Sequence, residues 1–283
     1  SHGISLDKVI VDTGVSSQFA SALLMSGILL ENGLDVLLEG DRAEGSYIKM
    51  TLAMMEQFGI RPVRVEHGYR IPHTRDFGLA EYQVEPDVSG ACYFYAMAPL
   101  LRTDVAVRNV HMDSLQGDIK FLQVLERMGC TLTDETDGVR LCGSTLDGYP
   151  GMDISMKDFS DQTMTMAAVA PFAKGETLIR DIGHIRFQET DRIHAVITEL
   201  TRMGIVCEEA PECDGIRIRP GTVRECAVET YEDHRMAMAF SLIGLKTGKI
   251  TILNPECCRK TFENYFELIE ELVENHQPGR DIS

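Results

Sequence analysis

The segment Glu232–Met238 (EDHRMAM) places His234 and Arg235 directly after an acid that can cap a helix, Asp233. The positive end of a helix dipole disfavours cations, so an arginine at a helix start is costly unless an anion sits there. The expected chemistry is anion binding. A second cluster, Gly183–Ile193 (GHIRFQETDRI), sets Glu189 next to Asp191 and Arg192, with Arg186 just upstream. Its ordinary reading is a helix start capped by Thr190 or Asp191, with acids favoured in the first turn. A third, Cys257–Phe266 (CCRKTFENYF), carries Arg259 and Lys260 just before a helical pattern. Alone it reads as a solvated basic pair.

These clusters sit at recurring places in a repeat. Four segments open on a small polar or acidic residue and run into an apolar, mostly Ala- and Met-rich helix: SSQFASALLMSG from Ser16, SGACYFYAMAPL from Ser89, SDQTMTMAAVAPF from Ser160 and DHRMAMAFSLIGL from Asp233. Their starts lie 73, 71 and 73 residues apart. A period this constant marks repeated units. Each helix is apolar nearly all round, which predicts burial. A β-branched stretch follows each: DVLLEG, DVAVRNV, TLIRDI and KITILNP. Then comes a more amphipathic helix, three of which end on a glycine suited to a left-handed cap: Gly59, Gly129 and Gly204. Two further strand-like pieces complete a β-α-β-α-β-β unit, so the fold class is α/β. The fourth unit lacks those last two strands. The stretch 76–87 (DFGLAEYQVEPD) is the expected crossing between lobes, giving a division at 1–84 and 85–283. The tail QPGRDIS is expected to fray.

At each first-helix start, Ser or Asp at the cap has two readings. One is ordinary capping of free backbone N–H groups. The other is an anion site built from those donors and the helix dipole. Repeated units could aim several such ends at one place.

Composition narrows the possibilities. The 283 residues suffice for about two domains, and 44% hydrophobic with 25% charged residues is a globular balance. A net charge of −17 argues against nucleic acid or an anionic membrane as partner. Any bound anion must be held by local cations that override the global field. No apolar run is long enough to span a bilayer. Eight cysteines without a C-x-x-C pair read as reduced thiols in a cytoplasmic protein. No phosphate-binding glycine loop is present.

The strings SSQF at Ser16, EPD at Glu85, QGD at Gln116, SDQTMT at Ser160, QETDR at Gln188, DHRMAM at Asp233 and KTF at Lys260 occur in an order and at separations that resemble the 3-phosphoshikimate 1-carboxyvinyltransferases. The resemblance covers essentially the whole chain. It implies a two-lobe enolpyruvyl transferase fold, an inside-out α/β barrel of three β-α-β-α-β-β units per lobe. It also implies transfer of the enolpyruvyl group of phosphoenolpyruvate to the 5-hydroxyl of shikimate 3-phosphate, with release of phosphate and no metal or organic cofactor. Carried over to this chain, Ser16, Ser17 and Gln18 would bind the shikimate phosphate and ring, with Tyr47 nearby. Asp161 would hold the acceptor hydroxyl, and Glu189 would protonate the vinyl carbon. Arg192, Arg235 and Lys260 would clamp phosphoenolpyruvate, with His234 beside them.

Three positions depart from the family pattern. Gln188 stands where the family usually has Lys, and one positive charge is lost there. His184 replaces a frequent Asn, and Glu44 a usual Ser. The family chain also begins well upstream of Ser1. The resemblance therefore implies a missing N-terminal segment with two further units of the first lobe. The alternatives are two other enzymes of the same fold, a UDP-N-acetylglucosamine enolpyruvyl transferase and an RNA 3'-phosphate cyclase, and a non-catalytic remnant that binds phosphorylated shikimate.

Overall fold

The computed structural model describes residues 6–14, 17–40 and 45–275. The chain divides into two compact units, residues 1–86 with 112–119, and residues 87–111 with 120–283.

The first unit is one whole repeat. Strand β1 (Lys8–Asp12) leads to helix α1 (Gln18–Ser26), strand β2 (Leu34–Glu39), helix α2 (Ser46–Gln57) and the hairpin β3 (Val63–Val65) and β4 (Gly68–Ile71). The sheet order is β1-β2-β4-β3. β1 and β2 are parallel because a helix connects them, while β2, β4 and β3 pair antiparallel. Leu34, Val36 and Leu38 alternate into a core with Leu24, Ile48 and Ile71.

The second unit holds the other three repeats. One runs α3 (Val88–Leu101), β5 (Asp104–Arg108), α4 (Lys120–Arg127), β6 (Thr131–Glu135) and β7 (Gly138–Cys142). The next runs β8 (Asp153–Ser155), α5 (Thr163–Val169), β9 (Thr177–Arg180), α6 (Arg192–Arg202), β10 (Cys207–Ala210) and β11 (Gly215–Ile218). The last comprises β12 (Cys226–Val228), α7 (His234–Thr247), β13 (Ile250–Ile252) and α8 (Tyr265–Asn275). Sheet β8-β9-β11-β10 reproduces the order of the first repeat, and β5-β7-β6 reproduces it without the first strand. Among the described residues the last forms only the parallel pair β12 and β13.

Helices α3, α5 and α7 pack on one another as the centre of this unit, and the apolar composition that predicts burial is matched along all three. Helix α1 has the same composition and differs. Phe19 is 63% exposed and Leu29, just beyond its end, 73%. Three amphipathic-helix ends match the expected left-handed glycine, with φ of +80° at Gly59, +110° at Gly129 and +84° at Gly204. At each, the N–H of the following residue donates to a carbonyl five residues back.

The expected serine caps are corrected. Helix α3 is capped by Asp87, whose carboxylate accepts from the Ser89 N–H at 2.9 Å. An ionised carboxylate is the stronger acceptor, and it lies two residues before the serine. Ser160 opens a 3-10 turn ahead of α5 and bonds elsewhere. Ser17 holds the cap position of α1 with helical dihedrals and no side-chain cap bond. Ser16, Glu44 and the tail from His276 lie outside the described residues. All eight cysteines are free thiols, and Cys92, Cys130, Cys207 and Cys258 are buried. Among the described residues no helix is long and apolar enough to cross a membrane.

Candidate active site

Arg192 is the first residue of α6, whose cap Asp191 accepts from the His194 N–H at 3.0 Å. Its side chain is 1% exposed, and all three guanidinium nitrogens are engaged. Nε donates to Asp233 Oδ2 at 2.7 Å and Nη2 to Glu189 Oε2 at 2.6 Å. Nη1 donates to Asp161 Oδ1 at 3.1 Å and also to the Gln188 amide oxygen. Burial pulls the Arg192 pKa down, but the Asp233 charge and hydrogen bonds, with Asp161 behind them, raise it overall. A buried guanidinium survives only with such partners.

Asp161 joins this arginine to a second one. It lies on the 3-10 turn before α5, and its other oxygen accepts from Arg235 Nη2 at 2.8 Å. Arg235 is the second residue of α7, whose cap Asp233 accepts from the Arg235 N–H at 2.8 Å. The anion that the sequence demands at this helix start is therefore supplied within the chain, by Asp233 and Asp161. Each carboxylate offsets both a cation and a helix dipole. Three repeat segments, at 161, 188–192 and 233–235, thus meet in one cluster of two guanidiniums and three carboxylates.

Glu189, with a side chain 38% exposed, is the most accessible member. Asp161 and Arg235 are 16% and 13% exposed. His234 is buried beside Asp233, with 3.7 Å between Nδ1 and Oδ1. Burial first, and then the Arg235 charge, hold its pKa below the ordinary imidazole value, so the ring is neutral at physiological pH. His184 Nε2 meets the buried Ser160 hydroxyl at 2.7 Å, which anchors the turn carrying Asp161. Gln188 offers an acceptor that an ammonium could not, and it faces Arg192 with it.

Lys260 is exposed, two residues after Cys258, whose Sγ lies 3.7 Å from the His234 carbonyl. Among the described residues Lys260 joins none of the pairs above. Ser17, Gln18 and Tyr47 belong to the other unit. Gln18 and Tyr47 are exposed, at the starts of α1 and α2. A bond of 2.8 Å between the Ser21 and Thr51 hydroxyls ties those helices together.

Two residues of the cluster were not legible as such. Asp233 reads in sequence as a cap and also grips Arg192. Tyr93, fully buried on α3, lies beside Arg235, and only its place after Ser89 in the second repeat hinted at it. Among the described residues no group of three or more His, Cys, Asp or Glu could hold a metal ion.

The arrangement sets two acids against buried cations and exposes a third acid at its edge. Such a set can hold an anion and move a proton next to it.

A family model for EPSP synthase (3-phosphoshikimate 1-carboxyvinyltransferase) matches residues 2–269. The 3-phosphoshikimate 1-carboxyvinyltransferase of Nostoc punctiforme is 40% identical over 275 residues, 97% of this chain and 64% of that protein. That of Xenorhabdus nematophila is 43% identical over 278 residues, 96% of this chain and 63% of its own length. Among solved structures, EPSP synthase from Acinetobacter baumannii superposes with a TM-score of 0.75 at 24% identity, over 94% of this chain and 62% of that one. The enolpyruvyl transferase NikO from Streptomyces tendae gives 0.68 at 17% identity, over 94% and 63%. These two likenesses establish the fold, and the chain spans just over three fifths of the length of its relatives.

Proposed function

Because the chain belongs to the EPSP synthase family, we propose that it supplies most of a 3-phosphoshikimate 1-carboxyvinyltransferase. The reaction moves the enolpyruvyl group of phosphoenolpyruvate to the 5-hydroxyl of shikimate 3-phosphate. The acceptor hydroxyl gives up its proton as its oxygen bonds to C2 of the enol and C3 takes a proton to become a methyl group; C3 then returns a proton as the C2–O bond to phosphate breaks, which restores the vinyl group and releases phosphate. The observation that carries this reading is the meeting of Asp161, Glu189, Arg192 and Arg235 in one cluster.

Within it, Glu189 is the acid that delivers the proton to C3, because it sits at the accessible edge. Asp161 takes the hydroxyl proton and orients the acceptor. Arg235 and Lys260 meet the phosphate and carboxylate of phosphoenolpyruvate, with His234 as a neutral neighbour. Arg192 has the deeper role of fixing Asp161 and Glu189 in position, since every nitrogen it has is already engaged. Its partners must loosen before it could also touch the anion. Gln188 and His184 help to fix Arg192 and the Asp161 turn. In the other unit Ser16, Ser17, Gln18 and Tyr47 take the shikimate phosphate and ring.

The exposed apolar side of α1 supports a further component. In the second unit, three first helices cover one another, whereas α1 has no such cover among the described residues. The 275 matched residues are 64% of the Nostoc relative, so roughly 150 of its residues lie outside the match. That is room for two more repeats of 71–73 residues. Two such repeats, on this polypeptide or another, would cover α1 and complete the first lobe. The location that fits free thiols and small phosphorylated substrates is the cytoplasm.

Calorimetric titration with shikimate 3-phosphate and phosphoenolpyruvate, beside a phosphate-release assay, tests the proposal. The chain should bind at least one substrate, and release should begin when a polypeptide carrying two further repeats is supplied. No release from the completed protein, with both substrates bound, would leave a binding protein and sink the enzyme reading.

A further inference from the structure

The second unit has a cleft of about 440 Å³ at the end of its central helices away from the charged cluster. Helix α7 carries His234 and Arg235 at its first turn and Lys246 in its last, about 20 Å apart for 14 residues. Pro99, Tyr149, Phe172 and Pro220 form apolar walls, and Arg102 and Lys246 stand over them. Tyr149 is 3% exposed and its hydroxyl is spent on the Val169 carbonyl at 2.7 Å, so it backs the wall, while Phe172 and Pro220 reach the surface.

Acids outnumber bases 44 to 27, and most arginines are paired within 3.3 Å. Around this cleft the acid is Asp147, 95% exposed, which reaches Lys174 at 3.2 Å and Arg102 only at 4.0 Å. Among the described residues Lys246 forms no ion pair. Desolvation and the Arg102 charge both press the Lys246 pKa down, as expected of two cations sharing a face without an anion between them. A cation at each helix end is accounted for by the carbonyl ends of α3 and α7. The apolar cleft beneath the two cations is not.

We propose that this cleft is a second ligand site, taking a flat apolar ring that bears one carboxylate. The ring would lie against Phe172 and Pro220, and the carboxylate would bridge Arg102 and Lys246. The carbonyl ends of α3 and α7 offset part of the positive charge, so a single negative charge suits the site better than a dianion.

Benzoate is the probe, followed by calorimetry and by saturation-transfer NMR on the whole chain. Saturable binding is expected, weakened about threefold by Arg102→Gln or Lys246→Gln and about tenfold by both together. Both side chains are at the surface, and a thermal melt of each variant confirms folding. Arg235→Ala should leave benzoate binding unchanged, which separates this cleft from the cluster at the other end of α7. Inorganic phosphate should compete poorly. Three results would overturn the site: no saturable benzoate signal, binding untouched by the double variant, or displacement by phosphate at equal concentration. In any of these cases the two cations serve only the helix ends.

Discussion

Arg192 and Arg235 carry the same charge in different settings, and their variants should part accordingly. Removing Arg192 leaves Asp233, which is wholly buried, without its strongest partner. Arg192→Ala should cost about 3–5 kcal/mol of stability, read as a lowered urea midpoint. Arg235→Ala removes a shallower group and leaves Asp161 with Arg192. It should cost about 1 kcal/mol while abolishing phosphoenolpyruvate binding in a completed enzyme. Near-wild-type binding in that variant would remove Arg235 from the substrate contacts. The buried His234 gives a pH signature. Its folded-state pKa lies below the ordinary 6.5, so the unfolded chain binds the proton more readily. Its contribution to stability is present above pH 6.5 and is lost as pH falls through that value toward the folded pKa. The local slope approaches about 1.4 kcal/mol per pH unit for one full proton. His234→Gln should flatten the stability profile just below pH 6.5, and an unchanged slope would show that other groups carry the acid loss.

Among the elements, the cap of α3 separates what sequence displays from what it hides. The repeat places Ser16, Ser89, Ser160 and Asp233 at equivalent positions, yet of the three that are described Asp233 caps its helix through its side chain, while Asp87 does so for α3. Asp87→Ala should cost about 1 kcal/mol and Ser89→Ala clearly less. Equal losses in thermal melts would restore the serine as the cap. The β-α-β-α-β-β order was legible because strand and helix periods differ and because Gly59, Gly129 and Gly204 punctuate the helix ends. The cluster was legible only as separate charges. Nothing local at Arg192 tells that Asp161, 31 residues away, and Asp233, 41 residues away, close around it. That pairing is set by the packing of α5, α6 and α7, a property of the assembled unit. Asp233 was hidden for another reason, since one carboxylate both caps α7 and binds a side chain.

For the whole molecule, the same helix composition gives opposite results in the two units, and stability should follow. In the second unit α3, α5 and α7 bury one another's faces, and Tyr93, Tyr265 and Phe240 are fully enclosed. In the first unit α1 buries Ala20 and Leu24 against its own sheet and leaves Phe19, Met25 and Leu29 facing out. Burying a side chain such as Phe or Leu contributes about 1.5–3 kcal/mol, so the first unit forgoes several kcal/mol that the second keeps. Cooperative units open at free energies set by such contacts. Native-state hydrogen exchange should therefore find the amides of β2 and α1 opening several kcal/mol below those of α3 and α7. A polypeptide that covers α1 should raise the first group toward the second and leave α3 and α7 unchanged. Equal protection in both units of the chain alone would mean that α1 needs no cover, and the inferred two repeats would lose their structural support.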